Sequence, residues 1–348
     1  MVTVDGDSIR ALAYPALVGS PRPGDRVLLN VTALEAGLGT GGYALVVAIP
    51  DRLPPDPEIT GHMVKARYTP LQVMTASADE QGSPYHQLLA TADSLDGMPV
   101  VVADLHSALP AILAGLLGPR FPEQEKDEKN LAGTSAAPPR VAYVMTDGGA
   151  LPAWFSRAIA GLREAGWLAA TVTVGQAFGG DLEAVTVHSG LLAARHAAGA
   201  DVAIVAQGPG NLGTGTTWGY SGIAAGEAVN AAAVLGGRPV ASLRLSFADP
   251  RERHQGISHH SLTAYGRVAL ARADVVIPGL PGPRAARVAA DAAPLGARHT
   301  LVTVPVDGLD EALRACPVPL STMGRALDED LEYFLAAAAA GRHAASLR

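Results

Sequence analysis

Short apolar segments separated by glycine and proline characterise the first sixty residues. The segments SIRALAYPALVG, RVLLNVTAL and YALVVAIP are rich in aliphatic and β-branched residues, and SPRPGD and GLGTGG interrupt them. This pattern is typical of short strands joined by tight turns. We expect residues 1–60 to form a small β-barrel-like module. Residues 61–118 are expected to supply a connecting strand and the first strand and helix of the body.

Apolar strands alternate with amphipathic helices from residue 140 to the C-terminus. The strand segments are RVAYVMT, LAATVTVG, ADVAIVAQ, RPVASLRLSF, ADVVIPGL and HTLVTVPV, and MPVVVAD before LHSALPAILAGLL extends the pattern. Such alternation predicts a parallel sheet with right-handed crossovers. The expected fold class is α/β, with a largely parallel, Rossmann-like doubly wound sheet in residues 140–348 and a covering C-terminal helix. The charged, proline-rich residues 119–139 are expected to form a mobile linker or surface loop.

Polar residues concentrate in the loops that follow these strands. The turns at the other edge of the sheet, REAGW, AAGAD and LGGRP, contain little beyond glycine and a solvated charge. Asp104 follows one strand and Asp147 follows the next. Because ligands of open α/β sheets bind at the carboxyl ends of the strands, this asymmetry predicts a site there.

The segment GPGNLGTGTTWGYSG combines glycines with hydroxyl-bearing residues just before a helix. Backbone N–H groups of such a loop can bind phosphate or carboxylate. The spacing fits neither GxxxxGK[ST] nor GxGxxG, so neither ATP nor NAD is implied. In the alternative interpretation, the glycines allow a tight turn and close helix packing. The predicted anion-binding residues are Gly208, Gly210, Asn211, Gly213, Thr214, Gly215, Thr216, Ser221 and Arg253.

The segment SFADPRERHQGISHHS carries the residues best suited to chemistry, and three interpretations stay open. His254 and His259 with Asp249 would suit zinc, manganese or iron, which would make a divalent metal the cofactor. Alternatively, one histidine is a general acid or base while arginines bind a carboxylate or phosphate. In the third, at least one of the adjacent His259 and His260 is structural or exposed, since the two cannot face the same way on a helix. The catalytic candidates are Asp249, His254, His259, Asp147 and Arg251.

Composition narrows the range of partners. The net charge of −7 and pI near 5.8 give no reason to expect binding to nucleic acid or to an anionic membrane. The N-terminus lacks the features of a signal peptide, and the single cysteine excludes an intrachain disulfide. We expect a cytoplasmic protein that binds a small anionic ligand. The apolar C-terminal helix also predicts a homodimer interface.

Long segments of the chain, among them YVMTDGGALP, QGPGNLGTGTTWGYSGIAAGEAVNA and SFADPRERHQGISHHSLTAYGRVA, resemble the bacterial family known as domain of unknown function 3866 (DUF3866). The resemblance extends over essentially the whole chain and implies no reaction. The loops therefore carry the functional prediction, an enzyme that acts on a small anionic metabolite, such as a phosphorylated one, by hydrolysis or group transfer. The alternative is a non-catalytic nucleotide or anion sensor that signals through the N-terminal β-module.

Overall fold

The computed structural model describes residues 1–38, 41–58, 61–118 and 138–348. The chain divides into two compact units, residues 1–76 and 77–348. Except for residues 138 and 139, the predicted linker lies outside the described residues, and the predicted domain boundaries stay predictions.

Small sheets make up the described part of the N-terminal unit. Strands β1 and β2 form one antiparallel pair, and β6 and β7 form another. A third sheet has three strands in the order β3–β5–β4. Closure into a barrel stays a prediction. The elements are β1 (Val2–Val4), β2 (Asp7–Ile9), β3 (Ala11–Leu12), α1 (Pro15–Val18), β4 (Leu28–Asn30), α2 (Thr32–Glu35), β5 (Ala44–Ala48), β6 (Met63–Lys65) and β7 (Val73–Thr75).

A parallel sheet of eight strands forms the centre of the second unit, in the order β11–β10–β9–β12–β8–β13–β16–β17. The predicted α/β class with a parallel sheet is confirmed, and a Rossmann-like arrangement stays a prediction. The strands are β8 (Pro99–Val102), β9 (Val141–Thr146), β10 (Ala170–Thr173), β11 (Leu182–Glu183), β12 (Val202–Gln207), β13 (Arg238–Ser242), β14 (Leu245–Ser246), β15 (Gly256–Ile257), β16 (Asp274–Gly279), β17 (Thr300–Pro305), β18 (Ser321–Thr322) and β19 (Arg325–Ala326).

Different helices cover the two faces of this sheet. Val144 lies beneath Gly190 of one helix, whereas its neighbour Tyr143, which must point to the opposite face, contacts His106 near the start of another. The helices are α3 (His86–Leu89), α4 (Leu109–Leu117), α5 (Arg157–Glu164), α6 (Val187–Leu192), α7 (Ala224–Val234), α8 (His259–Thr263), α9 (Pro283–Ala292), α10 (Leu309–Arg314) and α11 (Leu331–Ser346).

The C-terminal helix α11 is a core element. Residues 333–341 are all buried, and α11 packs against α4 and against the sheet. Homodimer formation through this helix stays a prediction. Among the described residues, no helix combines the length and the apolar character needed to cross a membrane.

The strand order determines which loops meet. Strands β9, β12, β8 and β13 are neighbours, so their carboxyl ends lie side by side at one edge of the sheet. The loops that begin there contain Asp104, Asp147, the glycine-rich segment and the histidine-rich segment.

Candidate functional site

The histidine-rich segment folds back on itself just beyond β13. Strand β14 pairs antiparallel with β15, which closes a loop containing Asp249 and His254. Ser258 then begins α8, and its Oγ accepts a hydrogen bond from the backbone N–H of His260 at 3.2 Å. A serine in this position satisfies one of the free N–H groups at a helix start.

His254, His259 and His260 form one cluster. Their ring centroids are 5.1 Å (254–259), 5.0 Å (254–260) and 4.4 Å (259–260) apart. One nitrogen from each ring lies within 4.8 Å of the other two. The rings of His259 and His260 lie close together although the two residues are adjacent on α8, and the His254 ring lies near both. That at least one of them is structural stays a prediction.

Neighbouring groups fix the orientation of two of the rings. Nδ1 of His254 lies 2.7 Å from Ser258 Oγ. The His260 ring stacks on Tyr220 with centroids 3.8 Å apart and planes 4° from parallel. Nδ1 of His260 is 3.1 Å from Arg244 Nη1 and 3.7 Å from Asp104 Oδ2, so it can accept from the arginine or donate toward the carboxylate.

Two of the three imidazoles in the cluster, those of His254 and His259, are uncharged at pH 7. Burial, with added repulsion from nearby arginines, lowers the pKa of His254 to about 3. Burial also lowers the pKa of His259 to about 4, with smaller contributions from His260 and the arginines. Both imidazoles therefore carry a free nitrogen lone pair at pH 7. Among the described residues, the buried Nε2 of His259 has no hydrogen-bond partner.

Asp249 belongs to a separate, adjacent network of ions. It is fully buried, and its carboxylate accepts hydrogen bonds from Arg251 Nε at 2.9 Å and Nη2 at 2.7 Å. Arg325 and Arg244 lie 3.4 and 3.8 Å from it. Burial alone would raise the pKa of Asp249, but the hydrogen bonds and charge of Arg251 hold this pKa well below its usual range. Both carboxylate oxygens of Asp249 therefore accept hydrogen bonds from arginine.

Arg253 differs from the arginines around Asp249. Its side chain is exposed and, among the described residues, makes no hydrogen bond or ion pair. It lies beside the tip of the glycine-rich loop, with Nη2 3.6 Å from where a Cβ on Gly215 would be. Its charge also contributes to the lowered pKa of His259.

The polar side chains of the glycine-rich loop mostly bond within the loop. Asn211 Oδ1 accepts from Gln207 Nε2 at 2.8 Å and from Gly222 N at 3.2 Å, and Ser221 Oγ accepts from Leu212 N at 3.1 Å. These bonds attach the loop to the start of α7.

The tip of the loop is a small turn that its own hydroxyl groups stabilise. Thr214 Oγ1 and Thr216 Oγ1 are 3.1 Å apart, and Thr216 Oγ1 accepts from Gly219 N at 3.1 Å. Gly213 bridges to Tyr220 across this turn. The role of these residues in binding an anion stays a prediction.

Two glycines at this edge of the sheet are required for close packing between loop backbones, and close helix packing by the segment stays a prediction. A Cβ on Gly208 would overlap the carbonyl oxygen of Ala150, and one on Gly149 would overlap that of Gly208. Gly210 has φ +90°, a backbone conformation that favours glycine.

The hydrogen bond of Asp147 is made to a different loop, not to the histidine cluster. It is exposed, and its Oδ2 accepts from the backbone N–H of Gln176 at 2.8 Å, on the loop after β10. Among the described residues, no hydrogen bond or ion pair joins Asp147 to the histidines, and its catalytic role stays a prediction.

A small cleft beside the cluster contains acceptor groups that the list of candidates missed. It is lined by Asp104, Thr146, Gln207, Ser221 and Gly222. Asp104 Oδ2 and Gln207 Oε1 are buried and have no hydrogen-bond partner among the described residues. The signal for both was their position at the end of a strand. His260, also absent from the list, lies in the histidine-rich segment, whereas Tyr220 and Arg244 bear no comparable signal.

His106, near the same edge, is expected to make stability pH-dependent. The hydroxyl of Tyr143 donates to Gln207 O at 2.9 Å, so Nδ1 of His106 donates to Tyr143 at 2.9 Å. Nε2 then accepts from Ser156 Oγ at 2.7 Å, which requires a neutral ring. Burial lowers the pKa of His106 to about 4.

As pH falls, the unfolded state takes up this proton first, so the stabilisation is complete above pH 6.5 and is lost toward pH 4. Between pH 7 and pH 5, the loss from His106 is about 1–2 kcal/mol. Urea unfolding at pH 7 and pH 5 measures this loss in the free energy of unfolding for the wild type and for His106→Gln. The control is His188→Gln, which changes an exposed histidine. Equal losses in all three proteins would contradict the assignment.

The fold and site define an α/β protein with a buried histidine cluster and an arginine–aspartate network at the carboxyl edge of a parallel sheet. The chain belongs to the family described as protein of unknown function DUF3866, whose model matches residues 10–341. Comparison with curated proteins and with solved structures gives no match.

Proposed function

We propose that this protein is an enzyme that acts on a small anionic substrate by hydrolysis or group transfer. Arg253 binds the anionic group, and the cluster of His254, His259 and His260 acts on the reacting bond. One observation carries the proposal. The Arg253 guanidinium and the nearby Nε2 of His259 both have no hydrogen-bond partner among the described residues.

The charge balance around the cluster supports an anionic substrate. Arg251, Arg244 and Arg325 share the negative charges of Asp249 and Asp330. Arg253 has no such counter-charge among the described residues. A guanidinium binds carboxylate or phosphate through paired hydrogen bonds. The proposal therefore assigns substrate binding to Arg253 and leaves Arg251 with Asp249.

The adjacent cleft supports a substrate that also carries hydroxyl or amino groups. Asp104 Oδ2 and Gln207 Oε1 are both acceptors, and each belongs to a residue that is 3% exposed. A buried acceptor without a donor costs about 1–3 kcal/mol, so a ligand that donates to it gains affinity. The proposed substrate is therefore a hydroxylated phosphate or carboxylate whose anionic group binds Arg253.

Arg253→Ala is expected to lower kcat/KM by about 10- to 100-fold, because a hydrogen bond to a charged group contributes about 1.5–3 kcal/mol. The substrate is sought by incubating the protein with a cell extract of small molecules and measuring anionic compounds by mass spectrometry. Arg238, exposed at the opposite edge of the sheet, supplies the control Arg238→Ala.

Consumption of an anionic compound by wild type and Arg238→Ala, but not by His259→Ala, supports the enzyme. Retention of a compound without its consumption would favour the sensor instead. If all variants consume the same compounds equally, the proposed site is wrong.

A further inference from the structure

We infer that His254, His259 and His260 together bind one divalent transition metal ion of the zinc class. This inference rests on the proposed function, since it concerns the same cluster. It replaces Asp249, the carboxylate ligand expected from the sequence, with His260.

The arrangement of the ring nitrogens carries the inference. One nitrogen from each ring lies within 4.8 Å of the other two. Three nitrogens bound tetrahedrally to one zinc ion are about 3.3 Å apart, given Zn–N distances of about 2.0–2.1 Å. Binding one ion therefore requires the nitrogens to approach one another by up to about 1.5 Å. Three histidines with an open fourth position are a known catalytic zinc set.

The hydrogen bonds of the rings leave the appropriate nitrogens available. Nδ1 of His254 can donate to Ser258 Oγ, which leaves the lone pair on Nε2. Nδ1 of His260 lies between Arg244 and Asp104, and Nε2 of this ring is free to bind a metal only in the tautomer whose Nδ1–H faces Asp104. Nε2 of His259 is buried and, within the described part of the chain, has no hydrogen-bond partner. A metal ion would give this nitrogen the bond it lacks.

Asp104 is the positioning residue of this site. Its buried Oδ2, which has no hydrogen-bond partner in the described part of the chain, lies 3.7 Å from Nδ1 of His260. Ligating histidines usually donate their other ring N–H to a carboxylate or carbonyl, which fixes the tautomer. If His260 binds the metal through Nε2, its Nδ1–H donates to Asp104, and Arg244 turns toward Asp249, 3.8 Å away.

The local charges are compatible with a cation despite the arginines. Asp249 and Asp104 offset Arg244 and Arg251. A divalent ion would then leave the cluster positive, which favours the anionic substrate that Arg253 also attracts. Metal ion and substrate would thus stabilise one another.

The test uses the full chain, purified without a tag and treated with a chelator. One equivalent of ZnCl₂ is added, the protein is desalted, and bound metal is measured by elemental analysis. Titration with Co²⁺ reports a tetrahedral site by visible absorption. We expect one ion per chain in wild type and in the control His188→Ala, which changes an exposed histidine.

His259→Ala removes a ligand that is only partly buried, so this variant is expected to fold, and its zinc affinity to fall at least 100-fold. Asp104→Asn, which keeps the shape of the side chain, should weaken binding about 10- to 100-fold. Circular dichroism checks that both variants are folded.

Absence of stoichiometric Zn²⁺ and Co²⁺ binding by the wild type would overturn the inference, and so would equal binding by folded His259→Ala. Turnover that depends on Arg253 and persists in chelator-treated protein would leave the proposed function intact without a metal. If the wild type neither binds the metal nor turns over any anionic compound, the metal inference and the proposed function are both wrong.

Discussion

Replacing Asp249 with alanine is expected to lower the free energy of unfolding of the 77–348 unit by about 3–5 kcal/mol, the usual cost of breaking a buried ion pair. The side chain of Asp249 is 1% exposed, and those of Arg244 and Arg325 are 5% and 19% exposed. Removal of the carboxylate leaves these guanidinium groups with less counter-charge in a region of limited hydration. Arg251, whose side chain is 36% exposed, can turn toward solvent and contributes less.

Urea unfolding followed by tryptophan fluorescence measures this loss, since all three tryptophans lie in the 77–348 unit. The matched control is Asp328→Ala. It breaks an ion pair with Arg314 at 2.6 Å in which the aspartate is 74% exposed, and it should cost no more than about 1 kcal/mol.

The same variant separates two roles for Asp249. If Asp249→Ala is as stable as wild type but loses bound zinc, the carboxylate is a metal ligand, as the sequence suggested. If stability falls strongly while the folded fraction still binds zinc, Asp249 holds the arginines that surround the cluster.

The edge of the sheet at which the candidate residues lie could be predicted from the sequence, because it depends on a local pattern. The central strands β8, β9 and β12 are largely apolar runs, and polar residues such as Asp104 and Asp147 follow β8 and β9 at their carboxyl ends. In a parallel sheet all these ends lie at one edge. Polarity along the chain therefore indicates the edge, although not the order of the strands.

The partners of each residue could not be predicted, because they come from distant positions. Arg325 reaches Asp249 from 76 residues further along the chain, and Tyr220 stacks on His260 from 40 residues before it. The residue types of Asp249, His254 and His259 suggested a metal site, but the arginines that contact Asp249 could not be foreseen from them. Composition also could not reveal that Thr214 and Thr216 bond within their own loop.

Introducing a side chain at Gly115 or Gly341 is expected to destabilise the protein by more than about 3 kcal/mol, at or beyond the upper range of overpacked cores. A Cβ on Gly115 would overlap the carbonyl oxygen of Ala338 in α11, and one on Gly341 would overlap that of Ile112 in α4. Backbone atoms cannot rotate away as a side chain can, so the two helices must separate.

This separation should also disturb the candidate site, because both helices start there. Helix α4 follows Asp104 and His106, and α11 follows Asp330, which binds Arg325 at 2.9 Å. Gly115→Ala and Gly341→Ala are compared by urea unfolding with Gly82→Ala, an exposed position where a Cβ meets no atom within 4 Å. We expect the two helix variants to unfold at much lower urea concentration and, where still folded, to bind zinc more weakly. Stability equal to that of Gly82→Ala would show that α4 and α11 do not hold the two loops together.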